Sequence, residues 1–258
     1  MLDTLRGALC APGCSVRCLY LSQVDCTSAV AESLAHLLRS DAPLSCLALV
    51  RVDFGGEPPW PSPVFTEICD ALADAPSLTQ LALNDCQLIE EDMPALALLL
   101  QAHRTLRSFE LSDSLFSGAG VAILAQALSH PCATLQSLAL YNVFEAGQHD
   151  IQGAAALAAM IRTNKSLREL HVVHDNGDGR GEEFDAAELG MFDEDDTIWG
   201  AAAARELFDA LAANTTLRRV TLPYMYPRGD AHLKFMQDLQ LKSVRGKRPF
   251  GADVVFSA

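Results

Sequence analysis

The stretch Leu78-Thr79-Gln80-Leu81-Ala82-Leu83-Asn84-Asp85-Cys86-Gln87-Leu88, followed at residues 90–104 by EEDMPALALLLQAHR, holds one complete structural unit. Leu81 and Leu83 alternate with small or polar residues, which is the two-residue period of a short strand. Cys86 stands where the chain leaves that strand, a place for a small polar side chain to turn inward and satisfy backbone groups. Met93, Leu96, Leu99 and Leu100 then fall at helical spacing, so the return path is an amphipathic helix. Each unit therefore brings the chain back to start a parallel strand beside the last one.

The strand phrase, apolar-x-x-apolar-x-apolar, recurs at Val16-Leu19-Leu21, Leu44-Leu47-Leu49, Leu78-Leu81-Leu83, Leu106-Phe109-Leu111, Leu135-Leu138-Leu140, Leu167-Leu170-Val172 and Leu217-Val220-Leu222. Successive starts lie 28, 34, 28, 29, 32 and 50 residues apart. Such a period means a small unit that cannot bury its apolar face alone and stacks on its neighbours. The helical half recurs as well. Leu34, Leu37 and Leu38 follow the first phrase; Phe65, Ile68 and Leu72 the second; Val121, Leu124 and Leu128 the fourth. Leu157, Met160 and Ile161 follow the fifth, and Leu207 and Leu211 the sixth. Leu2, Leu5 and Leu9 read as a helix capping the N-terminal end, and Leu233, Phe235, Met236 and Leu239 as a last helix. Val254, Val255 and Phe256 offer a final edge strand.

The longer spacings mark insertions. GGEPPWPSP at residues 55–63 is a rigid Pro-rich loop carrying Trp60. The largest insertion, about residues 175–198, holds ten acids against Arg180 between Asp175 and Asp196. Its carboxylates include Asp175, Asp178, Glu182, Glu183, Asp193, Glu194, Asp195 and Asp196. The expectation is a disordered, solvated loop, and the alternative is a docking site for a basic partner or for the chain's own tail at Lys242, Arg245, Lys247 and Arg248. No register of it matches the order of acids and glycine in a calcium-binding EF-hand loop.

The formal net charge of −14 repels nucleic acid and anionic membrane and attracts basic surfaces. No window reaches the length of a membrane-spanning helix, and MLDTLRGALCAPGC does not read as a signal peptide. The expectation is a cytoplasmic protein, or one exported without a cleaved signal. The eight cysteines are scattered, as small reduced thiols would be. Cys10, Cys14, Cys18 and Cys26 form a looser N-terminal cluster for which a disulfide cap is the alternative.

With the unit established, the chain resembles the ribonuclease-inhibitor-like class of leucine-rich repeat proteins. The period, the helical return and the N-x-x-L approaches at Asn164-Lys165-Ser166-Leu167 and Asn214-Thr215-Thr216-Leu217 carry the resemblance. Both approaches are also formal glycosylation sequons, read here as structural turns. The resemblance implies an α/β leucine-rich repeat solenoid, a right-handed horseshoe with about seven parallel strands on the concave face and helices on the convex face. The whole chain, 1–258, is then one domain: an N-terminal helical cap at 1–15, seven repeats over 16–225, and a C-terminal cap and basic tail at 226–258.

In that class the residues between the phrase leucines face outward from the strands. The central column is Tyr20, Ala48, Ala82, Glu110, Ala139, His171 and Thr221. The next two are Ser22, Val50, Asn84, Ser112, Tyr141, Val173, Pro223 and Gln23, Arg51, Asp85, Asp113, Asn142, His174, Tyr224. Aromatic and arginine residues are the usual binding anchors. A partner site is therefore expected across the fourth to seventh strands, at Glu110, Asp113, Tyr141, Asn142, His171, His174, Arg218 and Tyr224. Its occupant is a protein with a basic surface, bound by a monomer with no cofactor, no metal and no catalytic residue. No G-x-S-x-G, phosphate-binding loop or strand-linked G-x-G-x-x-G is present. The resemblance also admits an activator of a small GTPase, with Arg51 or Arg107 aiding phosphoryl transfer, and an inhibitor of secreted ribonucleases. The alanine-rich style fits a bacterial effector that modulates a host protein.

Overall fold

The computed structural model describes residues 7–11, 14–55, 61–114, 117–130, 134–143, 151–173, 200–223 and 253–257. The seven phrases form strands β1 (Cys18–Ser22), β2 (Cys46–Val50), β3 (Gln80–Asn84), β4 (Ser108–Ser112), β5 (Ser137–Tyr141), β6 (Glu169–Val173) and β7 (Arg219–Pro223). They lie in chain order in one parallel sheet, extended by an eighth strand, β8 (Asp253–Ser257), at the apolar end of the sequence.

Register turns the repeated phrase into two inward ladders. The middle residues align as Leu47, Leu81, Phe109, Leu138 and Leu170, and the last residues as Leu49, Leu83, Leu111, Leu140 and Val172. All ten are buried, because every second residue of a pleated strand points to the same face. The leading residues Leu44, Leu78, Leu106, Leu135, Leu167 and Leu217 are buried too, whereas Val16 is 46% exposed. Val16 leads into β1, which lies at the edge of the sheet among the described strands.

Helices α1 (Ser28–Leu38), α2 (Pro63–Ala73), α3 (Met93–Ala102), α4 (Gly118–Leu128), α5 (Ile151–Thr163) and α6 (Gly200–Ala213) return the chain between strands. The apolar residues expected on each helix are buried, from Leu34 in α1 to Leu211 in α6. Ser62 starts α2 as its N-cap, its Oγ accepting from the Phe65 amide at 3.3 Å, with Pro63 at the first helical position. Residues 7–9 are helical and Leu9 is buried. Leu2, Leu5, Trp60 and the helix expected at Leu233–Leu239 lie outside the described residues. No described helix is long and apolar enough to cross a membrane.

Asn164 and Asn214 are buried, which settles how their sequons are used. Asn164 Oδ1 accepts from the Ser166 and Leu167 amides, and its Nδ2 donates to Leu128 O at 2.7 Å. Asn214 repeats the arrangement on Thr216, Leu217 and Ile161 O. These side chains tie the approach to each strand to the helix of the repeat before, and they are not available to a glycan.

Seven of the cysteines are described, all as free thiols: Cys10, Cys14, Cys18, Cys26, Cys46, Cys69 and Cys86. Cys26, buried in the core, has its thiol pushed up to about 11 by burial and by the charge of Glu67. The four cysteines of the N-terminal cluster are thus unlinked. Cys86 turns inward as expected, its Sγ 3.4 Å from Leu49 O and 3.5 Å from Asn84 O.

Candidate functional site

Strand alternation that buries the leucines puts three columns on the opposite, open face of the sheet. The sequence columns through Tyr20 and Ser22 are two of these. The third consists of the residues just before each middle phrase residue: Cys18, Cys46, Gln80, Ser108, Ser137, Glu169 and Arg219. Sequence reasoning missed that column, although the same period-two pattern contains it. It carries an ion pair, Arg219 Nη1 to Glu169 Oε1 at 3.3 Å between register partners of β6 and β7.

The column beginning at Gln23 lies just past the strands, at their C-terminal ends. Gln23, Arg51, Asp85, Asp113 and Asn142 all hold φ between 51° and 56°. In each, the amide donates to the carbonyl of the last residue of the next strand, for example Asp113 N to Tyr141 O at 2.9 Å. That geometry turns the chain off the sheet edge without losing a ladder bond. It is the left-handed region, easier for Asp and Asn than for Arg or Gln. The side chains then pair along the edge. Arg51 Nε reaches Asp85 Oδ2 at 2.9 Å, and Asn142 Nδ2 donates to Asp113 Oδ1 at 2.9 Å.

Around Glu110 the face is polar and cross-linked. Asn84 Nδ2 donates to Glu110 Oε1 at 3.1 Å, while the buried Asn84 Oδ1 has no hydrogen-bond partner. Tyr141 stands near enough to Glu110 that burial first, and that carboxylate second, raise its phenol above the ordinary tyrosine value. Further along, His171 Nδ1 lies 2.9 Å from Thr221 Oγ1, again between register partners. The structure thus brings together Glu110 with Tyr141 and Asp113 with Asn142. Arg218 is exposed just before β7, at the end of the strands opposite Asp113. His174, Tyr224 and the acidic loop from Asp175 to Asp196 lie outside the described residues.

A half-open groove of about 510 Å³ runs beside this edge, lined by Phe54, Ser62, Asp85, Ile89, Asp92 and Asp113 among others. Its most buried acid, Asp92, accepts from the Ser62 amide on Oδ1 and the Ile89 amide on Oδ2, both at 3.2 Å. Burial raises its carboxyl above the usual value, partly offset by those two donors.

The two arginines weighed for phosphoryl transfer are both engaged. Arg51 is paired with Asp85, and Arg107 Nη1 donates to the carbonyls of Thr134, Leu106 and Arg104. Among the described residues no three His, Cys, Asp or Glu side chains group to hold a metal ion.

No protein-family model matches the chain. The ribonuclease inhibitor of Mus musculus is 30% identical over 162 residues, which is 62% of this chain and 33% of that protein. The NACHT, LRR and PYD domains-containing protein 14 of Mus musculus is 31% identical over 181 residues, 68% of this chain and 17% of that protein. Among solved structures, the tropomodulin C-terminal domain of Caenorhabditis elegans overlays with a TM-score of 0.44 at 11% identity, over 83% of this chain and 92% of that one. The chain spans a third or less of the length of these curated relatives.

Proposed function

As this chain is a leucine-rich repeat protein of the ribonuclease-inhibitor-like class, we propose that it is a non-catalytic interaction module gripping a protein partner on the open face of β4 to β7. The observation that carries this reading is the cross-linked polar surface there. Glu110, Asp113, Tyr141, Asn142 and His171 stand on or just past adjacent strands, four of them in side-chain contacts between neighbouring repeats. Side chains held by neighbours lose little freedom on binding, so a partner's affinity is not spent on ordering them. The carboxylates favour a basic surface, and the acidic loop at Asp175–Asp196 adds a second electrostatic site that speeds encounter. His174, Arg218 and Tyr224 extend the same site at its far end.

A ribonuclease belongs among the partners tested, since two relatives are named for inhibiting one. The reading as a GTPase activator is less well supported, because Arg51 and Arg107 are each committed to intramolecular bonds.

The test compares pull-downs by the wild type, the double variant Tyr141→Ala/His171→Ala and a deletion of residues 177–195. A specific partner should be lost from the double variant. With the loop deleted it should bind more slowly and with weaker salt dependence. If both variants kept every partner of the wild type, the open-face and acidic-loop assignments would both fail.

A further inference from the structure

Two cysteines face each other where the solenoid begins. Cys18 in β1 and Cys46 in β2 are register partners, so their side chains leave the same face of neighbouring parallel strands side by side. Neighbouring strands lie about 4.8 Å apart, inside the range of roughly 4.4–6.8 Å between Cα atoms that a disulfide spans. No other pair of described cysteines shares a strand register. Cys18 is exposed and Cys46 half-buried. Among the described strands β1 has a single neighbour, β2.

We propose that Cys18 and Cys46 form a thiol-disulfide switch, which a small disulfide oxidant such as glutathione disulfide closes into a bond clipping the first repeat to the second. Cys18, the exposed thiol, attacks one sulfur of glutathione disulfide as its thiolate and expels one glutathione thiolate. Cys46 then attacks the Cys18 sulfur of the mixed disulfide and expels the second. Each cysteine gives up a proton and together they give up two electrons, which reduce one glutathione disulfide to two glutathiones. The order follows from access. Cys46 is the more buried, and burial first, then its contact with Cys18, raise its thiol above the ordinary value, so it suits resolution better than first attack. None of the other described cysteines, Cys14 included, faces Cys18 across a strand register. Cys26, Cys69 and Cys86 are buried, and the Cys10 thiol is turned to Ser40 Oγ at 3.3 Å.

The test treats the full chain with glutathione disulfide, quenches in acid, alkylates and maps the peptides without reductant. A Cys18–Cys46 cross-link should be the main product and should vanish on reduction. Cys26 shares a tryptic fragment with Cys18, so the cross-link must survive Cys26→Ser and disappear in Cys18→Ser. In Cys46→Ser the reaction should stop with glutathione on Cys18. The oxidised wild type should also melt at a higher temperature than the reduced chain, a difference absent from Cys18→Ser. Linkage of Cys18 to Cys10 or Cys14, or glutathione on both Cys18 and Cys46 of the wild type with no bond between them, overturns the proposal. Fragmentation of the linked wild-type peptide between Cys18 and Cys26 decides even if a variant fails to fold.

Discussion

His103 does for its repeat what Asn164 does two repeats later. The imidazole Nδ1 accepts from the Thr105 and Leu106 amides at 3.3 and 3.1 Å, as Asn164 Oδ1 accepts from Ser166 and Leu167 at 2.9 and 2.7 Å. The match ends at the second polar atom. Asn164 Nδ2 donates to a helix carbonyl, Leu128 O, whereas His103 Nε2 is buried without a partner. With Nδ1 accepting, the neutral ring must carry its proton on that orphaned nitrogen.

Replacing the ring with the residue used elsewhere should therefore help. In His103→Asn the amide gains a donor that should meet a carbonyl at the end of α2, as Asn164 Nδ2 meets Leu128 O at the end of α4. Removing one buried unsatisfied donor is worth about 1 kcal/mol. Urea unfolding should show a higher midpoint with an unchanged slope. A midpoint at or below the wild type would show that ring packing outweighs the lost pairing.

His103 also sets a pH dependence. Burial first, then the charge of Arg107, hold its folded value below the ordinary 6.5, so the unfolded chain takes up the proton before the folded one does. Stability from this group is complete above about pH 6.5 and is lost as pH falls through and below that value. The wild type should lose stability on acidification over this window more steeply than His103→Asn, measured by melting temperature at each pH. Parallel curves would remove His103 as the cause.

Asp92 holds two amides of different loops, and only a carboxyl group can accept both. A protonated carboxyl still offers a lone pair on each oxygen, whereas an amide nitrogen offers none. Asp92→Asn should consequently cost about 1–3 kcal/mol even though it removes a buried charge. Chemical denaturation against the wild type gives the answer, and a neutral result would mean that desolvation of the carboxylate matters more than the second bond.

Phe65 is fully buried, its ring tilted against Phe54 with centroids 5.0 Å apart. Phe65→Ala leaves a cavity and should cost about 3–5 kcal/mol. The loss should appear in calorimetry as a lower melting temperature of the whole array.

Arg51 offers the contrast. Its ion pair with Asp85 is largely exposed and worth about 0–1 kcal/mol, while its φ of 52° suits glycine better than arginine. These effects oppose each other, so Arg51→Gly should lie within about 0.5 kcal/mol of the wild type. A larger loss would show that the pair organises the strand ends beyond its own contact.

Much of the fold was legible because its signals are local. Leu81 and Leu83 announce their strand by alternation and Leu96, Leu99 and Leu100 their helix by spacing, and neither depends on any other repeat. The candidate site was legible only in part. Glu110 and Tyr141 were readable as outward positions, but Glu169 and Arg219 were not, because the column before the middle leucine was left uncounted. His103 gave no sign of its role, since a histidine at the asparagine position breaks the N-x-x-L pattern that marks it.

The repeated phrase by itself determined a parallel sheet backed by helices, because backbone periodicity is a property of neighbouring residues along the chain. Which polar side chains meet was decided by stacking. Register sets His171 2.9 Å from Thr221 across an interval of 50 residues, and Asp113 2.9 Å from Asn142 across 29. Loops of unequal length separate these partners in sequence, while the constant strand spacing makes them neighbours in space.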